Sequence, residues 1–199
     1  AILATVWVFS IVVVAALVCR NLPLIRQNNG QVLREYASLL TQTLPAKPAI
    51  LLSDDPRRLW LAQAVLARQS GGPKHLPVDT RLLVSPNYHR TLNRMSGGTW
   101  PLPPANQPIN IDSLTIADRV LQQVANQEVY YLHPSFGYYF EFLHAIPHGM
   151  THALRRHSTN SLFAPPLSPA LLEENLKFWN DTAAPMLARA EYLLPRTEG

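Results

Sequence analysis

Acidic, histidine and tyrosine side chains follow two short runs that have the character of β-strands. Asp54 and Asp55 come directly after the apolar run 49–53, and His133 follows the run 128–132. In open α/β sheets, ligands bind beyond the carboxyl ends of the parallel strands, where such side chains would meet. Adjacent carboxylates at that edge can bind a metal ion, hold sugar hydroxyls or act as a general base. We therefore predict a ligand site that includes Asp54, Asp55, His133, Tyr138 and Glu141.

These candidates also have a simpler, structural interpretation. Asp55 precedes Pro56, and an acidic N-cap followed by proline is a common start of a helix, so Asp55 would cap that helix and Asp54 would be solvated. A tyrosine such as Tyr138 fits a half-buried core as well as it stacks on a sugar ring. The pattern favours helix capping and core lining, and the ligand site is the hypothesis beside them.

Three histidines, His144, His148 and His152, recur every four residues. On one helix they would share a face, as the paired histidines of zinc enzymes do. Pro147 and Gly149 would break such a helix, and neither cysteine partners nor a His-Glu-x-x-His motif accompany them. The chain also lacks the Gly-x-Ser-x-Gly elbow of serine hydrolases. We therefore predict no metal site, no cofactor and no catalytic residue.

Alternating helices and strands must position these side chains. Apolar spacing predicts helices over 31–44, 56–69 and 113–126, and strands over 49–53, 80–85 and 128–132. Such alternation indicates a mostly parallel sheet with helices on both faces. We predict a small three-layer α/β domain over 27–160, then a linker and C-terminal helices over 161–199. Pro185 is expected to divide those helices into two pieces.

The helix after Asp55 carries a specific packing prediction. Leu59, Gln63 and Leu66 recur at helical spacing and are expected to form one stripe against the sheet. Trp60 flanks that stripe. We expect Trp60 to be largely buried between this helix and a neighbouring element.

The first nineteen residues, AILATVWVFSIVVVAALVC, contain no charge. That length is close to the roughly 20 apolar residues that cross a bilayer as a helix. A signal peptide would have a basic start and a shorter apolar run. We predict a transmembrane helix over 1–22, bound to the lipid bilayer as part of a longer membrane protein. Arg20, Arg26 and Arg34 follow this helix, and the positive-inside rule would place the rest of the chain in the cytoplasm.

The composition narrows the classes of partner. The chain has 17 Lys and Arg against 13 Asp and Glu, and the basic residues form no long run. This mild excess argues against nucleic-acid binding. The single Cys19 excludes a disulfide within the chain.

The segment 49–83 combines features that resemble a known family. Its strand ends in an acidic pair, its helix contains a Leu-Trp-x-x-Gln core, and an acidic and a basic residue follow; these are Asp54, Asp55, Leu59, Trp60, Gln63, Asp79 and Arg81. This order resembles the extramembrane part of the multi-pass membrane family called domain of unknown function 2723. That family includes an animal protein O-mannosyltransferase of the glycosyltransferase C type. The stretches EVYYLHPSFGYYFE and HGMTHAL are similar to later parts of the family, so the resemblance covers about 49–154.

The resemblance implies a function and a location. Glycosyltransferases of this type carry their catalytic acid in an early loop between membrane helices, which this chain does not contain. The expected function is therefore an extramembrane domain that binds a protein or glycan acceptor or stabilises the rest of the same membrane protein. The family implies a periplasmic or lumenal location, which we adopt over the arginine count. The alternative function is a membrane-anchored interaction module whose C-terminal helices begin a helical repeat array.

Overall fold

The computed structural model describes residues 2–28, 30–69, 71–72, 74–103, 110–132, 141–158 and 163–193. The chain forms two compact units, Ala1–Tyr36 and Ala37–Gly199. The first contains helix α1 (Ile2–Asn28) and the start of α2 (Gln31–Gln42). The side chains of α1 are exposed on all sides between residues 6 and 20. Within the described residues, no helix is both long and apolar enough to cross a bilayer. The helix predicted over 1–22 is present in α1. The prediction that this helix spans a membrane is not supported by the described residues.

The second unit is an α/β domain. Its strands are β1 (Ile50–Ser53), β2 (Leu76–Asp79), β3 (Val129–Tyr131), β4 (Leu143–His148) and β5 (Thr151–Arg156). Its helices are α3 (Pro56–Leu66), a 3-10 helix (Thr80–Val84), α4 (Pro86–Met95), α5 (Ser113–Asn126), α6 (Pro169–Lys177), a π-helix (Phe178–Ala183) and α7 (Ala184–Leu193). The predicted α/β class is confirmed.

The five strands form one mixed sheet in the order β2-β1-β3-β5-β4. β1 pairs in parallel with β2 and β3, whereas β5 pairs antiparallel with both β3 and β4. The prediction of a mostly parallel sheet is therefore only half right. The reason is a tight hairpin between β4 and β5, because a connection this short can join only antiparallel strands. Gly149 in its turn has φ +58°, a conformation that favours glycine.

The second strand lies four residues earlier than predicted. Thr80–Val84 is a 3-10 helix, capped by the Asp79 side chain, which accepts a hydrogen bond from Arg81 N. β2 itself is an edge strand that contains Pro77. Leu76 N donates to Ala49 O at 2.9 Å, and the N–H groups along a strand point alternately toward and away from its neighbour. Positions 77 and 79 therefore face away from β1, and Pro77 has no N–H. The Asp79 N–H donates to Tyr88 Oη at 2.9 Å, so this edge offers no free N–H to another strand.

Helices cover both faces of the sheet. One face builds the main core, in which α4 and α5 pack on side chains that include Ile50, Leu52 and Tyr131. The connection from β1 to β2 and the connection from β2 to β3 cross the sheet in opposite directions. Because crossover connections between parallel strands are right-handed, α3 lies on the face opposite α4 and α5. Leu51, which alternates with Ile50 and Leu52, indeed shares a cavity with Gln63 of α3.

The prediction for Trp60 is wrong. Leu59 and Ala62 of α3 are buried, whereas Trp60 is 65% exposed. Gln63 and Leu66 are partly buried and continue the stripe of Leu59 as predicted. The helix contacts β1 and β2 along this stripe, and residue 60 points about 100° away from residue 59, toward solvent.

The C-terminal helices are continuous. α6, the π-helix and α7 follow one another without a break over Pro169–Leu193, so Pro185 does not divide them. In an unbroken α-helix the ring of Pro185 would clash with the carbonyl of Asp181. The π-helix just before Pro185 changes the backbone register there, which accommodates the ring.

The hairpin turn anchors these helices to the sheet. Asn175 of α6 donates to Pro147 O at 3.0 Å and accepts from Gly149 N at 2.9 Å. Thr43, just after α2, donates to His148 O at 2.7 Å. The turn is thus hydrogen-bonded to a side chain just after α2 and to a side chain of α6.

Candidate functional site

The carboxyl ends of β1 and β2 place several polar groups side by side. Ser53 pairs with Asp79 in the register of the two strands. Asp54 and Asp55 continue directly from Ser53, and the charges of both carboxylates act on Arg81. The hydrogen bonds that Arg81 donates to the Asp79 carboxylate raise the pKa of Arg81, and the charges of Asp54 and Asp55 add to this effect. This arrangement is the candidate site, which we call the carboxyl edge.

Asp55 and Asp79 have structural roles at this edge. Asp55 caps α3 by accepting from Arg57 N at 2.9 Å, and its other oxygen lies 3.4 Å from Arg58 Nε. The capping interpretation of Asp55 is therefore confirmed. Asp79 accepts from Arg81 Nε at 3.1 Å and from Arg81 Nη2 at 3.0 Å, a bidentate pair. Both carboxylates are thus occupied by hydrogen bonds within the chain.

Asp54 differs from these two residues. Its Oδ1 is buried and has no hydrogen-bond partner among the described residues. A buried carboxylate oxygen is a strong acceptor that gains from a donor. Asp54 is consequently the carboxylate of this edge that is best placed to receive a ligand hydroxyl or amide.

Hydroxyl groups complete the carboxyl edge. Tyr88 Oη accepts from Asp79 N, and burial raises the pKa of Tyr88. Thr80 Oγ1 lies 3.4 Å from Tyr131 Oη. Thr80 is half-buried and Arg81 is exposed, whereas Tyr131 is fully buried. Thr80 and Arg81 therefore form the accessible part of the edge, beside the half-buried Asp54, whose Oδ1 is buried.

The other predicted site residues do not join this group. His133 and Tyr138 lie outside the described residues. Glu141 is exposed and lies two residues before β4, whose first residue, Leu143, pairs with Arg156 at the end of β5. Because β5 runs antiparallel to β3, its end lies at the amino ends of the parallel strands. Glu141 is therefore at the opposite edge of the sheet from Asp54 and Asp55.

The histidines of the hairpin lie on strands. His144 and His148 share one face of β4, and His152 of β5 lies on the other face, because it pairs with Pro147. Burial lowers the pKa of His144, and the charges of His157 and Arg155 lower it further. In the part of the chain that the structure describes, no three His, Cys, Asp or Glu side chains are grouped to hold a metal ion.

One buried polar network was not predicted from the sequence. His89 is fully buried, and its Nδ1 accepts from Trp100 Nε1 at 2.9 Å and lies 2.8 Å from Arg119 Nη1. Its Nε2 lies 2.7 Å from Leu83 O. These four residues come from different elements and loops between positions 83 and 119, so the fold brings them together.

Comparison of the chain with models of protein families, with curated proteins and with solved structures finds no match.

Proposed function

We propose that this chain is the extramembrane α/β domain of a membrane glycosyltransferase-like protein, in which it binds an acceptor and does not carry the catalytic step. The observation that carries the proposal is the division of roles at the carboxyl edge. Asp55 and Asp79 are held by capping bonds and ion pairs, whereas Asp54 Oδ1 has no partner among the described residues. Among the described residues, this edge accepts hydrogen bonds and pairs no acid with a base.

The polar groups of the carboxyl edge favour an acceptor that carries hydroxyls. Asp54 can accept from a hydroxyl, Thr80 can donate or accept, and Arg81 can donate to an oxygen. A serine or threonine peptide and a sugar both present such groups. The resemblance over 49–154 to a family with an O-mannosyltransferase supports the same class of acceptor.

Membrane attachment belongs to the same proposal. Apolar side chains such as Trp7, Phe9 and Ile11 are exposed around α1. A helix that is apolar on all sides is stable in lipid or against other apolar helices, and not in water. We propose that residues 1–22 contact the bilayer or the other helices of the same membrane protein, with the α/β domain on the periplasmic or lumenal side.

An NMR titration tests acceptor binding. The full chain in detergent would be titrated with methyl α-mannoside and, separately, with a short Ser- and Thr-rich peptide. At least one probe should shift the amide signals of Asp54 to Asp55 and Thr80 to Arg81. Asp54→Asn should weaken these shifts, and Arg57→Ala, which removes an exposed arginine from the nearby helix α3, should not. Absence of shifts at this edge with both probes would contradict acceptor binding.

Liposome flotation tests membrane attachment. The full chain should float with phosphatidylcholine vesicles, and Val8→Glu combined with Val12→Glu should reduce flotation, because both side chains are exposed on α1. Thr99→Glu, in the α/β domain, is the control for added charge. A chain that stays with the soluble fraction would contradict contact with the bilayer.

The interaction module is the second candidate. Leu172, Leu176 and Trp179 are exposed on successive turns of the C-terminal helices, where a partner protein could cover them. The complete reading frame distinguishes the two functions. Several apolar segments upstream favour the transferase-like protein, whereas helical repeats downstream favour the interaction module.

A further inference from the structure

Two cavities meet at the amino ends of the parallel strands, opposite the carboxyl edge. The first has a volume of about 950 Å³ and extends between the end of α3 and the end of α4. The second has a volume of about 420 Å³ and extends along the end of α5 to Arg155. Pro48 and Gln127 line both cavities, so the two lie side by side, and we call them together the amino-edge groove. Each cavity has a volume within the range of about 300 to 1,000 Å³ that is usual for ligand sites.

The charge of the amino-edge groove is positive. Its cationic side chains are Lys47, Lys74 and Arg155, and Glu128 is the single acidic residue among the described residues that line it. Glu128 is shared by two of these cations, with Lys47 Nζ at 3.3 Å and Arg155 Nη2 at 2.6 Å. Lys74 is exposed and has no acidic partner among the described lining residues. A ligand with negative charge would therefore complement this groove.

The groove also offers hydrogen-bonding groups suited to amides. A hydrogen bond to the backbone of Ala49 acts on the His75 ring, whose Nδ1 is buried without a partner among the described residues. Burial lowers the pKa of His75, and the buried Nδ1 does not face the solvent in the groove. The side chains of Gln63 and Gln69 carry both amide donors and acceptors. The two glutamine side chains can donate to the C=O groups and accept from the N–H groups of a peptide.

The apolar part of the groove is aliphatic. Leu51, Leu66, Leu76 and Met95 line the larger cavity, and the described residues of both cavities include no Phe, Tyr or Trp. Sugar rings are usually held by stacking on such aromatic side chains. Aliphatic surface beside amide groups instead fits the side chains and backbone of a peptide.

We propose that the amino-edge groove binds an extended peptide segment of a partner protein that carries acidic and aliphatic side chains. The peptide lies across the amino ends of β2, β1 and β3 and contacts the groove through side chains and amides. It does not extend the sheet, because β2 presents Pro77 and a bonded Asp79 N–H at its outer edge. The proposal is independent of acceptor binding at the carboxyl edge, since the two sites lie at opposite ends of the strands.

A peptide selection followed by affinity measurements tests this proposal. Random octapeptides displayed on phage would be selected on the full chain in detergent, and the enriched peptides would be measured by fluorescence anisotropy. Ala67→Trp places a large ring in the groove from the exposed end of α3. Ala64→Trp places the same ring on an exposed position of α3 that does not line the groove. Lys74→Glu reverses the charge that has no acidic partner.

The expected result is enrichment of acidic peptides with aliphatic residues. Their affinity should fall about tenfold or more in Ala67→Trp and in Lys74→Glu, and stay unchanged in Ala64→Trp. Enrichment of basic peptides, absence of any enrichment, or binding that survives Ala67→Trp would overturn the proposal. The alternative outcome is a heparin-derived oligosaccharide that binds more tightly than every selected peptide and loses that affinity in Ala67→Trp. That result would assign the groove to an anionic glycan.

Discussion

Arg119 Nη1 lies 2.8 Å from Nδ1 of His89, and both side chains are buried in the core. A guanidinium has only donors, so His89 Nδ1 must accept and its proton must sit on Nε2, which donates to Leu83 O at 2.7 Å. Burial lowers the pKa of His89, the bond to Leu83 opposes this, and the charge of Arg119 lowers the pKa further. His89 is therefore a neutral residue that accepts hydrogen bonds from a buried guanidinium and a buried indole.

Replacement of His89 should be strongly destabilising. His89→Leu introduces an apolar side chain and leaves Arg119 Nη1 and Trp100 Nε1 without their acceptor. Each buried donor left unsatisfied costs about 1 to 3 kcal/mol, and more when the donor is charged. Urea unfolding of the full chain gives the difference in free energy. Combining His89→Leu with Arg119→Met should restore part of the loss, because the buried charge is then gone. A His89→Leu protein as stable as the parent would contradict this network.

Stability should fall as pH decreases below about 7. The pKa values of His75, His89 and His144 are lowered in the folded chain, by burial in each case. The unfolded chain then binds more protons than the folded chain below a pH of about 6.5, so acidification favours unfolding. The carboxylates Glu128 and Asp112, whose pKa values are lowered in the folded state, add their own loss only below about pH 4.5.

The histidine contribution is measured by urea unfolding between about pH 7 and pH 5. His144→Gln should flatten this dependence, because it removes one of the three groups. His148→Gln is the matched control on the same face of β4. A chain that gains stability on acidification over this range would contradict the assignment of neutral, buried histidines.

Truncation of Trp100 and of Trp60, which differ most in burial among the tryptophans of the α/β domain, should change the free energy of unfolding by very different amounts. Trp100 is 1% exposed and Trp60 is 65% exposed. Trp100→Ala should cost about 3 to 5 kcal/mol as a large-to-small core change. Trp60→Ala should change the free energy of unfolding by no more than about 0.5 kcal/mol, as surface changes usually do. A large loss in Trp60→Ala would show that another part of the protein covers this ring.

Substitutions of the two adjacent aspartates should also differ in their effect on stability. Asp55→Ala removes the N-cap of α3 and should cost about 1 kcal/mol. Asp54→Asn should leave the free energy of unfolding nearly unchanged, since Asp54 Oδ1 has no bond to lose among the described residues. Thermal unfolding followed by circular dichroism compares the two variants. A strongly destabilised Asp54→Asn would mean that Asp54 is structural and would remove it from the candidate site.

Gly149 should tolerate no side chain. Its φ is +58°, and a Cβ atom would lie 2.9 Å from Thr43 Cγ2 and 3.0 Å from Phe178 Cζ. Gly149→Ala should therefore cost about 1 to 3 kcal/mol through backbone strain and overpacking. Gly98→Ala is the control, because Gly98 also has a positive φ but open space around its Cβ position. Equal losses in the two variants would show that the contacts to Thr43 and Phe178 contribute nothing.

Local signals in the sequence predicted the elements that depend only on near neighbours. The apolar run at β1, the Asp55 and Pro56 start of α3, and the helix over Ser113–Asn126 all appear where they are expected. The capping role of Asp55 follows for the same reason, because a cap is a contact between residues two or three apart. Apolar runs and helix caps act within a few residues, so the sequence alone was sufficient for them.

Tertiary structure decided the features that depend on residues distant in sequence. The outer neighbour of β1 is the strand Leu76–Asp79 and not 80–85, because the register of the two strands pairs Ile50 with Leu76 and Ser53 with Asp79. Glu141 lies away from Asp54 because the hairpin reverses the chain direction beyond β3. The exposure of Trp60 and the burial of His89 likewise depend on which element packs on each helix. The sequence therefore determined the local elements and their caps, whereas the pairing of distant segments decided which side chains share an edge, a core or the solvent.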